Sequence, residues 1–176
     1  MEATGFIDGL EVSVGGLSRS ELSSQLTSAG VLLNVHAETL LSSAIFDRRP
    51  PRAVALAERS LADLGLEEGA TLPTIFRIAQ QHGLVLCPAD TGPYLRLALD
   101  DQVEAPDAIM TSGRAPTGSL TVASAPLAED DEYPKGFYLR VITGQKWLRG
   151  YRCDLEHVWS GDDRLVFRLP PNSLHT

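Results

Sequence analysis

A chain of 176 residues, 43% hydrophobic and 22% charged, is long enough to bury a core of its own and too apolar for a disordered segment. A formal net charge of −8 and a pI near 4.9 exclude a broadly basic surface, so general binding to nucleic acid or to an anionic membrane is not expected. The start, MEATGFIDGLEVSVGG, lacks the basic and apolar regions of a signal peptide, and no stretch is apolar for long enough to span a bilayer. Cys87 and Cys153 allow one disulfide at most, and two reduced thiols in a cytoplasmic protein are the expectation.

Leu10–Val14 alternates apolar and polar residues and ends at Gly15-Gly16, the pattern of a half-buried strand. Ser18 followed by Glu21 is a capping box; it opens a helix with Leu22 and Leu26 on its inner face, closed by Gly30. Asn34 caps a second helix over about 35–46, with Ala37, Leu40, Leu41, Ala44 and Ile45 at helical spacing. Arg48-Arg49-Pro50-Pro51 interrupts the chain, and Arg52–Glu58 reads as a strand. Thr71 caps a helix through TLPTIFRIAQQHG that Gly83 ends, and LVLC (84–87) reads as a short buried strand.

Residues 100–118 are turn formers without periodicity and read as a long mobile surface loop. From Ser119 onward the pattern is β: one strand in SLTVASAPL, two in 134–153 and one in RLVFRL (164–169). The expected fold is therefore one α+β domain over 1–176. Its helices lie mainly in the N-terminal half (1–99) and pack on a C-terminal antiparallel sheet formed by 119–170.

LCPADTGPYLRLAL (86–99), ASAPLAEDDEYPKGFYLR (123–140) and WLRGYRCDLEHVWSGDDRLVF (147–167) are together similar to a family of small stand-alone bacterial proteins of no established activity. The resemblance covers roughly 71–168, and the N-terminal part through LLNVHAETLL looks like the same family's start. It implies a bacterial, cytoplasmic protein and supplies no catalytic residues. Some members bear an automated "helicase" label; this chain has no G-x-x-x-x-G-K-[ST] and is too short for a helicase motor.

The motifs that carry chemistry are few. Cys153 with His157, and His82 with Cys87, are single close pairs, whereas a structural zinc site needs four ligands. His36-Ala37-Glu38 matches half of a zinc-deaminase signature, but the required P-C-x-x-C is missing, so neither metal nor cofactor is expected. Cys87, at the end of an apolar strand, reads as a small packed hydrophobe before it reads as a nucleophile. Glu129–Glu132 reads as a solvated turn, lacking the central glycine and distant acid of a calcium loop.

PKGFYLRVITGQKWLRGYRC (134–153) stands apart, with five bases and no acid, leaving ten bases against 23 acids elsewhere. Placing Gly144 first in a two-residue II′ turn sets Ile142 opposite Trp147, Arg140 opposite Arg149 and Tyr138 opposite Tyr151. The other face holds Phe137, Leu139, Val141 and Leu148 and should pack inward. Two arginines directly opposite repel by about 0.2–1 kcal/mol, so something should neutralise them. Eight flanking acids, at 129–132, 154, 156, 162 and 163, are the favoured source. The functional alternative is an anionic ligand, forked by Arg140 and Arg149 and stacked on Tyr138, Tyr151 or Trp147. Arg96, in a second Tyr-Leu-Arg, can join either network.

The expected function is a non-enzymatic binding or interaction module that meets a small anionic ligand or an acidic protein partner through this hairpin face. The competing expectation is a small hydrolase or transferase using the same arginines as an electrostatic clamp. An acidic nucleic-acid mimic fits less well, because −8 over 176 residues is modest.

Overall fold

The computed structural model describes residues 7–47, 50–99, 119–128, 130, 132–153 and 156–170. Its elements are β1 (Asp8–Val14), α1 (Arg19–Ser28), β2 (Leu32–Leu33), α2 (Val35–Leu41), β3 (Arg52–Ser60), β4 (Ala70–Thr71), α3 (Leu72–Gln81), α4 (Thr91–Ala98), β5 (Leu120–Val122), β6 (Gly136–Ile142), β7 (Gln145–Tyr151), β8 (Val158–Trp159) and β9 (Arg164–Arg168). Seven strands form one sheet in the order β1-β3-β9-β5-β6-β7-β2, and β4 and β8 form a separate ribbon.

The fold is α+β in its coarse form, but the expected C-terminal antiparallel sheet is corrected. The sheet is mixed: β2 runs parallel to β7 and β5 parallel to β9, while β1-β3, β3-β9, β5-β6 and β6-β7 are antiparallel. It also recruits β1, β2 and β3 from the N-terminal half, so the helices are interleaved with strands. The cause is visible along β9 and β3, which are buried on both faces. Val166 enters the core that holds Val54, Leu56 and helical Leu22, Leu40 and Leu95. Leu165 and Phe167 enter the opposite one, with Ala57, Ile75 and Trp159. Two-sided burial of this kind requires helices or ribbons on each face of the sheet.

Two of the three expected side-chain caps form, while Thr71 precedes α3 without a cap bond to its backbone, its hydroxyl meeting that of Thr74 at 3.2 Å. Ser18 Oγ accepts from the Glu21 amide while Glu21 returns its carboxylate to the Ser18 amide. Asn34 Oδ1 accepts from the Ala37 amide. The second helix is shorter than expected, because Ser42-Ser43 interrupts it and a 3-10 turn follows over Ala44–Phe46. LVLC makes two isolated bridges, Val85 to Arg168 and Cys87 to Ser124, in place of a strand. Helix α4 is hidden in the sequence by Gly92 and Pro93. Both are tolerated in a first turn, and Gly92 is required by packing: a β-carbon there would lie 2.7 Å from the Phe137 ring. The loop expected over 100–118 lies outside the described residues. Among the described residues, no helix is long and apolar enough to cross a membrane.

Candidate functional site

Hairpin β6–β7 turns at Thr143-Gly144, both with positive φ (51° and 76°), which is a type I′ geometry. The expected II′ turn starting at Gly144 is therefore corrected, and the register moves by two. Ile142 faces Gln145, Arg140 faces Trp147, Tyr138 faces Arg149, and Gly136 faces Tyr151. A slip of two conserves which side chains share a face, since strand side chains alternate with period two. Phe137, Leu139 and Leu148 still pack inward. Arg140 and Arg149 remain on one face, but diagonal to each other instead of opposed, which relieves the like-charge contact.

The arginines differ sharply in environment. Arg149 is half-buried, with its guanidinium carbon 4.2 Å from the centre of the Trp147 ring. Such a contact stabilises the cation through the negative face of the ring. Its Nε is buried and has no hydrogen-bond partner among the described residues. Arg140 is 1% exposed, inside the molecule. Arg96 does not join this face at all. It reaches the hairpin from α4, whose Leu95 lies in the first core, and Nη1 donates to the carbonyls of Arg140 (3.4 Å) and Trp147 (3.3 Å). Nη2 donates to the Leu99 carbonyl at 3.0 Å, so Arg96 staples the C-terminal end of α4 to the hairpin backbone.

The aromatic side chains form a continuous run. Tyr138 and Tyr151 are 6.5 Å apart between ring centres, Tyr151 meets Trp159 edge-on at 5.5 Å, and His157 meets Trp159 edge-on at 5.6 Å. Burial, with a smaller contribution from Cys153, raises the Tyr151 phenol above its usual range, so it stays a neutral donor.

Ser119 was not singled out by motif or spacing. It precedes Leu120, which faces Leu139, so it stands beside Arg140 on the same sheet face. Ser119 is 5% exposed and its Oγ has no hydrogen-bond partner among the described residues. The only sequence signal was position, at the first residue of the β-rich half. A row thus runs across three strands from Ser119 through Arg140 to Trp147, with Tyr138 and Arg149 in the adjacent row.

Of the flanking acids that are described, Glu132 pairs with Arg152 at 2.8 Å on the surface, and Asp163 Oδ2 accepts from the Ser160 amide. Glu129, Asp131 and Asp154 lie outside the described residues. Cys87 is no nucleophile: it is buried, its Sγ donates to the Val166 carbonyl at 3.4 Å, and burial pushes its thiol up to about 12. Among the described residues, no group of three or more His, Cys, Asp or Glu side chains converges to hold a metal.

Compared with protein-family models, curated protein sequences and solved structures, the chain finds no match.

Proposed function

We propose that this protein is a non-catalytic binding module whose contact surface is the arginine–aromatic face of hairpin β6–β7, and that its ligand is a small molecule joining a planar ring to an anionic group. The observation that carries this reading is the Arg149 guanidinium, its central carbon 4.2 Å from the centre of the Trp147 ring, half-buried beside Tyr138. A guanidinium oriented by stacking presents its remaining donors in one plane, the geometry that matches a carboxylate or phosphate. Tyr138 and Trp147 offer π-faces to the ring. Arg140 and Ser119 lie buried beneath this face as an inner polar layer, while Arg96 supports the hairpin from behind.

Isothermal titration with adenosine monophosphate and phenyl phosphate tests this, with adenosine and inorganic phosphate as half-ligands. Saturable binding of the two whole ligands is expected, weakened at least about tenfold, or about 1.4 kcal/mol, by Arg149→Ala or Trp147→Ala. Absence of saturable heat with either whole ligand, or binding that ignores both substitutions, refutes the reading. Binding of an acidic peptide but neither small ligand would replace it with the protein-partner version.

A further inference from the structure

We infer that the outer edge of β1 is a second binding surface, on the opposite side of the sheet from β7, that accepts an extended basic peptide as an added strand. The Leu169 amide donates to the Ala55 carbonyl, so Ala55 directs its backbone groups toward β9. The alternate residues of β3 therefore point to β1, as the Glu58 amide confirms by donating to the Ile7 carbonyl. In the β1–β3 register, Leu10 faces Leu56, Val12 faces Val54 and Val14 faces Arg52. Leu10, Val12 and Val14 thus spend their backbone groups inward, and Glu11 and Ser13 direct an amide and a carbonyl each outward.

Nothing among the described residues bonds those outward groups. β1 ends the seven-stranded sheet, and both Glu11 and Ser13 are exposed. The strand runs over seven residues, with a bulge at Gly9, and its regular stretch Leu10–Val14, between the positive-φ glycines Gly9 and Gly15, is long enough for a short ladder. An unpaired strand of this length is a template for another strand.

Charge selects the occupant. The exposed carboxylate of Glu11 lies on the edge, and Asp8, its side chain 72% exposed and 3.9 Å from Arg59, stands at its entry. A second copy of the chain would bring another Asp8 and Glu11 and a second net charge of −8 to the same edge. A strand with Lys or Arg at alternate positions instead places a cation across from Glu11, a favourable cross-strand pair, and another toward Asp8.

The test uses the full chain and two fluorescent seven-residue probes, alternating lysine with valine or glutamate with valine. Fluorescence anisotropy should show saturable binding of the lysine probe and none of the glutamate probe, with amide exchange slowed at Glu11 and Ser13. Ser13→Pro removes only an outward amide, which edge strands tolerate, and should weaken binding at least about tenfold. Glu11→Lys should reverse the preference between probes, and it serves if the proline variant fails to fold. The inference is overturned by no binding of the lysine probe, or by binding indifferent to both substitutions. Concentration-dependent dimerisation that Ser13→Pro abolishes would overturn the peptide in favour of a second copy.

Discussion

Arg96 and Arg149 carry the same side chain into different surroundings, one fully buried and one half-buried, and substitution should separate them. Arg96 is fully buried and donates to three backbone carbonyls. Arg96→Ala leaves those acceptors buried and unpaired, which predicts a loss of about 3 kcal/mol in urea unfolding. Arg149→Ala, losing a stacked half-exposed contact, should cost less than about 1 kcal/mol. Ser119→Ala should leave stability unchanged or raise it by about 1 kcal/mol, because it removes a buried hydroxyl without a partner. The same variant should weaken any anion binding. A large stability loss for Ser119→Ala would place that hydroxyl in the structural framework instead.

Cys87 gives a pH signature with a definite sign. Its folded value lies near 12 against 9.0 unfolded. Between those values the unfolded chain releases a proton that the folded chain keeps, so stability falls as pH rises above about 9. Cys87→Ala should flatten the alkaline decline in melting temperature over pH 8 to 11, and an unchanged slope would contradict the assignment. At this scale the sequence was informative about chemistry and blind to burial. An arginine among aromatics reads identically whether it faces solvent, like Arg149 in part, or the interior, like Arg140.

At the scale of elements, the junction of α2 with β7 rests on one amide. Asn34 Oδ1 accepts from both the Ala37 and Gly150 amides, and Nδ2 donates to the Gly150 carbonyl, so this side chain caps a helix and extends a strand pairing together. A β-carbon at Gly150 would lie 2.7 Å from the His36 carbonyl carbon. Asn34→Ala should therefore cost about 2–3 kcal/mol, above the usual value for a lost cap, and Asn34→Asp should recover only the part that Oδ1 supplies. The sequence disclosed Asn34 as a cap but not as a partner of β7, because the second role joins residues 116 apart. Thr143 shows the limit of turn reading. A β-branched residue at φ 51° is unfavourable, and TGQK offered a cheaper II′ solution starting at Gly144. The strands imposed the costlier turn because it seats Leu139 against Leu148. Thr143→Asn should therefore stabilise the hairpin by about 0.5–1 kcal/mol while keeping the register. A destabilised variant would mean that Thr143 contributes contacts beyond the turn.

For the whole molecule, strand order decides what can fold alone. Composition pointed to a helical half followed by a β half, and alternation located most strands. Neither disclosed that β3 lies between β1 and β9, or that β5 joins β9 in parallel, since nonlocal pairing leaves no periodic trace in the chain. That order makes the halves interdependent. Without residues beyond Leu99, β3 loses its neighbour β9, the first core loses Phe137, Leu139, Leu148 and Val166, and the second loses Leu165, Phe167 and Trp159. Fully burying one such side chain is worth about 1.5–3 kcal/mol, and a domain's whole stability is about 5–15 kcal/mol. A fragment ending at Leu99 should therefore show no cooperative unfolding transition. The complete chain should unfold once, with coincident midpoints by tryptophan fluorescence and far-UV circular dichroism. A sigmoidal transition from the fragment, with native-like near-UV dichroism, would show that the helical half holds its own core and that the interleaved sheet is not what unifies the fold.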